Sequence, residues 1–304
     1  MTKVIVCTSI NPPTEAIAQY DSMPDWTLVV VGDKKTPADY SLENGIYLSP
    51  DEQRALAPDL SEAIGWNCIQ RRNFGFLVAR QLNAELIAVV DDDNIPLDNW
   101  GTSVRVGQET EVTEFITDDP AFDPIGATNY PHIWHRGFPL QYLPSRDYEN
   151  RRKATIRPAV QADFWNGDPD IDAICRMEHR PECDFDPSLF PFTSTKMGPF
   201  NSQNTIIDAT LLPEYFLFPH VGRMDDIWAS YYVQALGHRV VYGAPTVYQD
   251  RNEHDLVKDM KAEYLGYEHN KALVDALTNS PSRIREFLPE SSIRAWDHFK
   301  DALG

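Results

Sequence analysis

An α/β fold built on a mostly parallel sheet with helices on both faces is what this sequence predicts, from three observations. Solid apolar runs alternate with helix-like stretches through the N-terminal third of the chain. The runs are continuous rather than alternating apolar and polar, as in strands covered on both faces. Polar clusters follow those runs, at the strand ends where ligands bind in open sheets of this kind.

Each element has its own signal. Val4-Ile5-Val6-Cys7 reads as the first strand and runs into the polar stretch Thr8-Ser9-Ile10-Asn11. A helix begins near Thr14, and Glu15 suits the positive end of its dipole. Residues 27–31 form a second strand closing in Gly32-Asp33, and residues 45–48 a third. One long helix is expected over residues 61–82, then a fourth strand over 86–90. Through 101–205 periodicity weakens while aromatics, Pro and Asp crowd together, which reads as long loops and short strands. A helix over 225–236 and a strand over 240–242 complete the core. Residues 1–265 read as the main domain and 266–304 as a helical surface appendage.

Composition excludes several classes of function. With 42% hydrophobic and 24% charged residues the chain folds as a globule rather than staying disordered. A net charge of −19 repels phosphate backbones and anionic membranes, so nucleic acid is not a partner. An anionic small ligand would then need local arginines or a bound cation. No G-x-G-x-x-G follows the first strand and no G-x-x-x-x-G-K-[ST] occurs, against a dinucleotide or P-loop enzyme. Cys7, Cys68, Cys175 and Cys183 make no zinc spacing, and nothing requires Cys175 and Cys183 to pair. No apolar run approaches a transmembrane length, so a cytoplasmic location is expected. No pattern indicates an oligomeric state.

The sharpest chemistry lies where the fourth strand runs into Asp91-Asp92-Asp93-Asn94. Strand alternation turns Asp91 and Asp93 one way and Asp92 the other. Two carboxylates on one face make a hard oxygen site for Mn²⁺ or Mg²⁺, where the cation would neutralise a diphosphate leaving group. The plainer alternative is a solvated acidic turn. Upstream, Arg71 and Arg72 stand about 100° apart on a helix, so one is expected to face the site while the other pairs elsewhere. Thr8, Asn11 and Asp33, at the ends of the first two strands, are positioned to meet a nucleoside base or ribose.

The segment Ile64-Gly65-Trp66-Asn67-Cys68-Ile69-Gln70-Arg71-Arg72-Asn73-Phe74-Gly75, followed by the acidic triplet, resembles the STELLO-type glycosyltransferases. It is more distantly similar to the reversibly glycosylated polypeptides, which include the UDP-arabinopyranose mutases. Trp134-His135-Arg136-Gly137, Trp165-Asn166-Gly167-Asp168, Phe200-Asn201-Ser202-Gln203, Arg223-Met224-Asp225-Asp226 and Arg251-Asn252-Glu253-His254 continue the match in chain order. The resemblance implies a GT-A fold over residues 1–265, a nucleotide-sugar (UDP-sugar) donor and a divalent metal. The implied activity is sugar transfer to a carbohydrate acceptor, in surface-polysaccharide assembly. A nucleotide-sugar mutase or self-glycosylating protein is the first alternative, although Leu143 stands where the mutases carry their glycosylated arginine and the next arginine is Arg146. A non-catalytic scaffold on a transferase fold is the second.

Three further groups follow. Trp165, Asn166, Gly167 and Asp168 read as a sugar subsite, an aromatic face beside hydroxyl-binding groups. Asp225 and Asp226 open a helix, and one of them is expected to be the base that deprotonates the acceptor hydroxyl; the sequence does not choose between them. His254, after the last strand, is the expected third metal ligand. His132 and His135 read as packing or acceptor contacts.

Overall fold

The computed structural model describes residues 1–249 and 255–304. The N-terminal part contains β1 (Lys3–Thr8), α1 (Glu15–Asp21), β2 (Thr27–Val31), β3 (Ile46–Leu48), α2 (Pro50–Leu56), α3 (Pro58–Ile64), α4 (Arg72–Gln81), β4 (Leu86–Val90) and β5 (Asn94–Pro96). There follow β6 (Thr110–Phe115), β7 (Arg151–Ile156), β8 (Val160–Gly167), α5 (Ala173–His179), β9 (Phe192–Ser194) and β10 (Asn204–Asp208). The chain closes with α6 (Asp225–Ala235), β11 (Val240–Gln249), α7 (Leu256–Asn279) and α8 (Glu290–Leu303).

One sheet organises everything, in the order β3-β2-β1-β4-β10-β8-β11-β9-β6-β7, with β5 paired to β11. β3, β2, β1, β4, β8 and β11 run the same way, and β10 is inserted antiparallel between β4 and β8. This is the expected α/β architecture, with a mostly parallel centre and a helical C-terminal region. Val4, Ile5, Val6 and Cys7 of β1 and every residue of β4 are buried, which accounts for the unbroken apolar runs. Helix α4 lies close over β1 because Gly75 faces it; a Cβ there would come within 2.3 Å of Val6 Cγ1.

Three expectations change. The single helix over 61–82 is two helices, because Gly65 (φ 78°) and Asn67 (φ 58°) take left-handed conformations that end α3. A short 3₁₀ turn, Ile69–Arg71, then leads into α4. The region read as long loops and short strands contains β8, an eight-residue central strand. Its buried Gln161 and Asp163 broke the apolar pattern, and they satisfy each other through Gln161 Nε2 at 2.9 Å. The strand expected over 240–242 continues through an irregularity between Gly243 and Val247 to Gln249.

The expected appendage boundary after residue 265 falls inside α7, and α8 belongs to the same core as the sheet. Ala295, Trp296 and Phe299 are buried, with Phe299 against Phe216 and Trp296 against Phe218 at ring-centroid distances of 5.0 and 5.2 Å. All four cysteines are free thiols. Among the described residues no helix is long and apolar enough to cross a membrane.

Candidate active site

The acidic triplet lies just past β4, in a turn tied to β10 by Asp91 N–H donating to the Gln203 carbonyl at 3.3 Å. The expected division of the three acids is present. Asp91 and Asp93 line one cleft of about 280 Å³, and Asp92 lines a neighbouring cavity of about 330 Å³. Ile69 borders both, so the two spaces adjoin at the carboxyl ends of β1, β2 and β4.

Thr8, Asn11, Asp33 and Asp92 converge on the larger cavity, with Ile10, Asn67, Cys68 and Arg71. Asp92 Oδ2 accepts from Ser9 Oγ at 2.5 Å and Asn11 Nδ2 at 3.1 Å, so it holds the loop after β1. Asp33 accepts from the backbone of Lys34 and of Cys68, at 2.6 and 3.1 Å, and thereby joins the β2 end to the α3–α4 connection.

Both arginines are fully buried, and their roles divide as the helix geometry requires. Arg72 crosses to the triplet. Its Nη2 donates to Asp91 Oδ1 at 2.5 Å and Thr8 Oγ1 at 3.2 Å, while Nη1 bonds Ser202. Arg71 turns back to neutral acceptors, donating to Gln53 Oε1, Ser61 and the Gly65 carbonyl, between the rings of Trp66 and Phe74. Burial without a paired carboxylate pushes its guanidinium down to about 10.

Across the smaller cleft stand Asp225 and Asp226, at the start of α6. Their environments differ sharply. Asp226 accepts from the Arg136 guanidinium at 3.2 Å and from Ser202 N at 2.9 Å and Ser202 Oγ at 3.1 Å. Arg136 also forks onto Asp170 at 2.8 and 3.0 Å, making a buried Asp-Arg-Asp bridge. Among the described residues Asp225 receives one side-chain hydrogen bond, from Gln70 Nε2 at 2.9 Å. Burial, reinforced by the negative charge of Asp226, pushes its carboxyl up to about 7, against the opposing pull of Arg136. A buried carboxyl that titrates near neutrality at a cleft wall is suited to exchange a proton.

The expected sugar subsite is not brought to either cavity wall. Trp165 packs against Phe164, Phe185 and His135, and Asn166 bonds Asp184 and the Phe185 backbone. Gly167 pairs its backbone with Cys183, and Asp168 forms an ion pair with Arg176. β8 lies between β10 and β11 in the sheet, and its Phe164 and Trp165 are buried, so these aromatics serve the core. His135 is buried and its Nδ1 lies 2.7 Å from the Arg136 carbonyl, while the His132 ring packs on His179. Arg146 is held by Asp123 at 2.6 Å and by the carbonyls of Pro131 and Ile133, away from the cleft. His254 lies outside the described residues.

Sequence reasoning missed Arg136, Gln70, Ser202 and Gln249, although the first three lie in segments that carried the family resemblance. Among the described residues no three His, Cys, Asp or Glu side chains converge as a metal cage. Asp91 and Asp93 remain an all-oxygen pair on one wall, the donor type that suits Mn²⁺ or Mg²⁺.

No family model matches the chain. It is 26% identical over 277 residues to "Probable glycosyltransferase STELLO1" of Arabidopsis thaliana, and 26% identical over 285 residues to "Probable glycosyltransferase STELLO2" of the same plant. Each match takes in 83% of this chain, which spans 36% of the length of either relative. Among solved structures, glucosyl-3-phosphoglycerate synthase from Mycobacterium tuberculosis superposes with a TM-score of 0.47 at 12% identity, over 90% of this chain and 80% of the other.

Proposed function

We propose that this chain is a metal-assisted glycosyltransferase that moves a sugar from a nucleoside diphosphate sugar to a carbohydrate hydroxyl. The observation that carries this reading is the cleft itself, where Asp91 and Asp93 share one small space with Asp225 and Asp226. The STELLO resemblance supports the same class of reaction. The first alternative loses support at Arg146, whose guanidinium is occupied by Asp123 and two carbonyls.

Each residue then has a task. Thr8, Asn11 and Asp33 hold the nucleoside in the larger cavity, with Asp92 fixing the loop that carries Asn11. Asp91 and Asp93 are the residues that would hold a divalent cation. A Mn²⁺ or Mg²⁺ bound there supplies charge neutralisation of the leaving diphosphate. Arg72 holds Asp91 in place through its ion pair.

Asp225 is the general base. Its raised carboxyl accepts the acceptor's hydroxyl proton near neutral pH, as the acceptor oxygen bonds to the anomeric carbon and the bond from that carbon to the phosphate oxygen breaks. Asp226 is engaged on both oxygens by Arg136 and Ser202, which suits it to anchor α6.

The test is a chromatographic screen against a panel of nucleotide sugars with Mn²⁺ and then with EDTA, reading free nucleoside diphosphate and any isomeric nucleotide sugar. Metal-dependent diphosphate release is expected and would name the donor. An isomerised nucleotide sugar without release would replace transfer by mutase chemistry.

A further inference from the structure

The cleft contains an acceptor with nothing to accept. Gln249, the last residue of β11, is 1% exposed and lines the cleft with Asp91 and Asp93. Among the described residues no donor reaches its amide oxygen. Its cross-strand partner in the β5–β11 pair is Asn94, which follows the acidic triplet directly and is also buried. Asn94 Nδ2 donates to the Gln203 carbonyl at 2.9 Å, yet its Oδ1 too is without a donor among the described residues. A buried carbonyl oxygen left unpaired is costly, so two on neighbouring strands are not incidental.

The chemistry of the set narrows what could satisfy it. The orphaned oxygen of Gln249 lines the cleft with the carboxylates of Asp91 and Asp93, an oxygen-rich set that calls for a cation or a strong proton donor. Carboxylates joined by neutral amide oxygens and water are an ordinary oxygen set for hard divalent ions.

We infer that Gln249 supplies a neutral oxygen, directly or through one coordinated water, to the divalent cation held by Asp91 and Asp93. This rests on the metal-assisted reading above, and it adds a ligand that no search for charged side chains would find. A glutamine completes the shell without adding charge, so the cation keeps its pull on the diphosphate. Asn94 stands behind it as the positioning residue, facing the same side of the strand pair.

The experiment measures Mn²⁺ binding by the loss of the free-ion electron paramagnetic resonance signal, first with Mn²⁺ alone and then with UDP present. Wild type is compared with Gln249→Met, which keeps the volume and removes the oxygen, and with Gln249→Glu, which keeps the oxygen and adds charge. Circular dichroism and metal-free melting report on folding. Gln249→Met should weaken Mn²⁺ roughly tenfold, the loss typical of a group that orients or completes a metal shell. Its metal-free melting point should stay level or rise, because the orphaned carbonyl is gone. Gln249→Glu should bind at least as tightly as wild type. Unchanged Mn²⁺ affinity in a folded Gln249→Met protein would overturn the assignment, and a buried water would then be what satisfies both amides. Absence of Mn²⁺ binding by wild type in both conditions would overturn it as well. Mn²⁺ binding lost in Gln249→Met, with no sugar transferred from any donor by wild type, would leave the ligand standing and sink the transferase reading alone.

Discussion

Gln70 donates a hydrogen bond to Asp225 at 2.9 Å across 155 positions of sequence, fixing the orientation of a cleft carboxyl that burial pushes up to about 7. Asp225→Asn should therefore abolish turnover while leaving nucleotide-sugar binding intact by calorimetry. In wild type, kcat/KM should fall as pH drops through about 7, because the base form is lost there. Gln70→Leu removes a bond that favours the ionised form, so that acidic limb should move to higher pH. A limb that stays in place would remove Gln70 from this role.

The same carboxyl makes a stability prediction of definite sign. Its folded value, about 7, lies above its ordinary 3.8, so its contribution to stability is full below about pH 4 and is lost as pH rises through about 7. Asp225→Asn should then melt higher than wild type at pH 8, by about 2 °C or more, with the difference vanishing near pH 4. Calorimetric melting across that pH range checks it.

Asp226 should behave in the opposite way. Asp226→Asn weakens a buried bridge whose arginine is 5% exposed and serves Asp170 as well, so stability should drop by about 3–5 kcal/mol at neutral pH in urea unfolding. A loss under 1 kcal/mol would mean that Arg136 is satisfied by Asp170 alone.

Asp93→Ala should remove metal-dependent donor binding, read by calorimetry with Mn²⁺ and with EDTA. Undiminished Mn²⁺ dependence would take Asp93 out of the cation site. In the adjoining cavity, Asp33→Asn should raise the donor KM about tenfold and leave kcat nearly unchanged, as expected for a lost hydrogen bond to a charged acceptor.

Trp165 separates packing from recognition. Trp165→Leu should cost about 3 kcal/mol of stability through the void left among Phe164, Phe185 and His135. Its donor KM should not move. A KM effect without a stability effect would return the residue to a sugar subsite.

What the sequence made legible was local. The Leu86 to Val90 run and the acids after it could be read directly, because burial on both faces writes an unbroken apolar string. What stayed hidden depends on distant partners. Asp163 looks misplaced in a strand until Gln161 and Thr246 close around it. Arg136 gains its meaning from Asp170 and Asp226, 34 and 90 positions away. The break between α3 and α4 rests on a left-handed asparagine, which no periodicity reports. The proposed choice of Asp225 over Asp226, left open by the sequence, rests on which of them the arginine reaches.

The reversed strand β10 has a consequence for how the molecule is assembled. Until residues 204–208 emerge and dock, β4 has an open edge and the two halves of the sheet have no common strand. Pairings so distant in sequence are slow to form, since a long loop must close before any contact rewards it. The turn bearing Asp91 is pinned by the Gln203 carbonyl just ahead of β10. The cleft is thus among the last parts of the molecule to take shape, and a chain truncated before β10 would carry every acid of the triplet without the geometry that makes them useful.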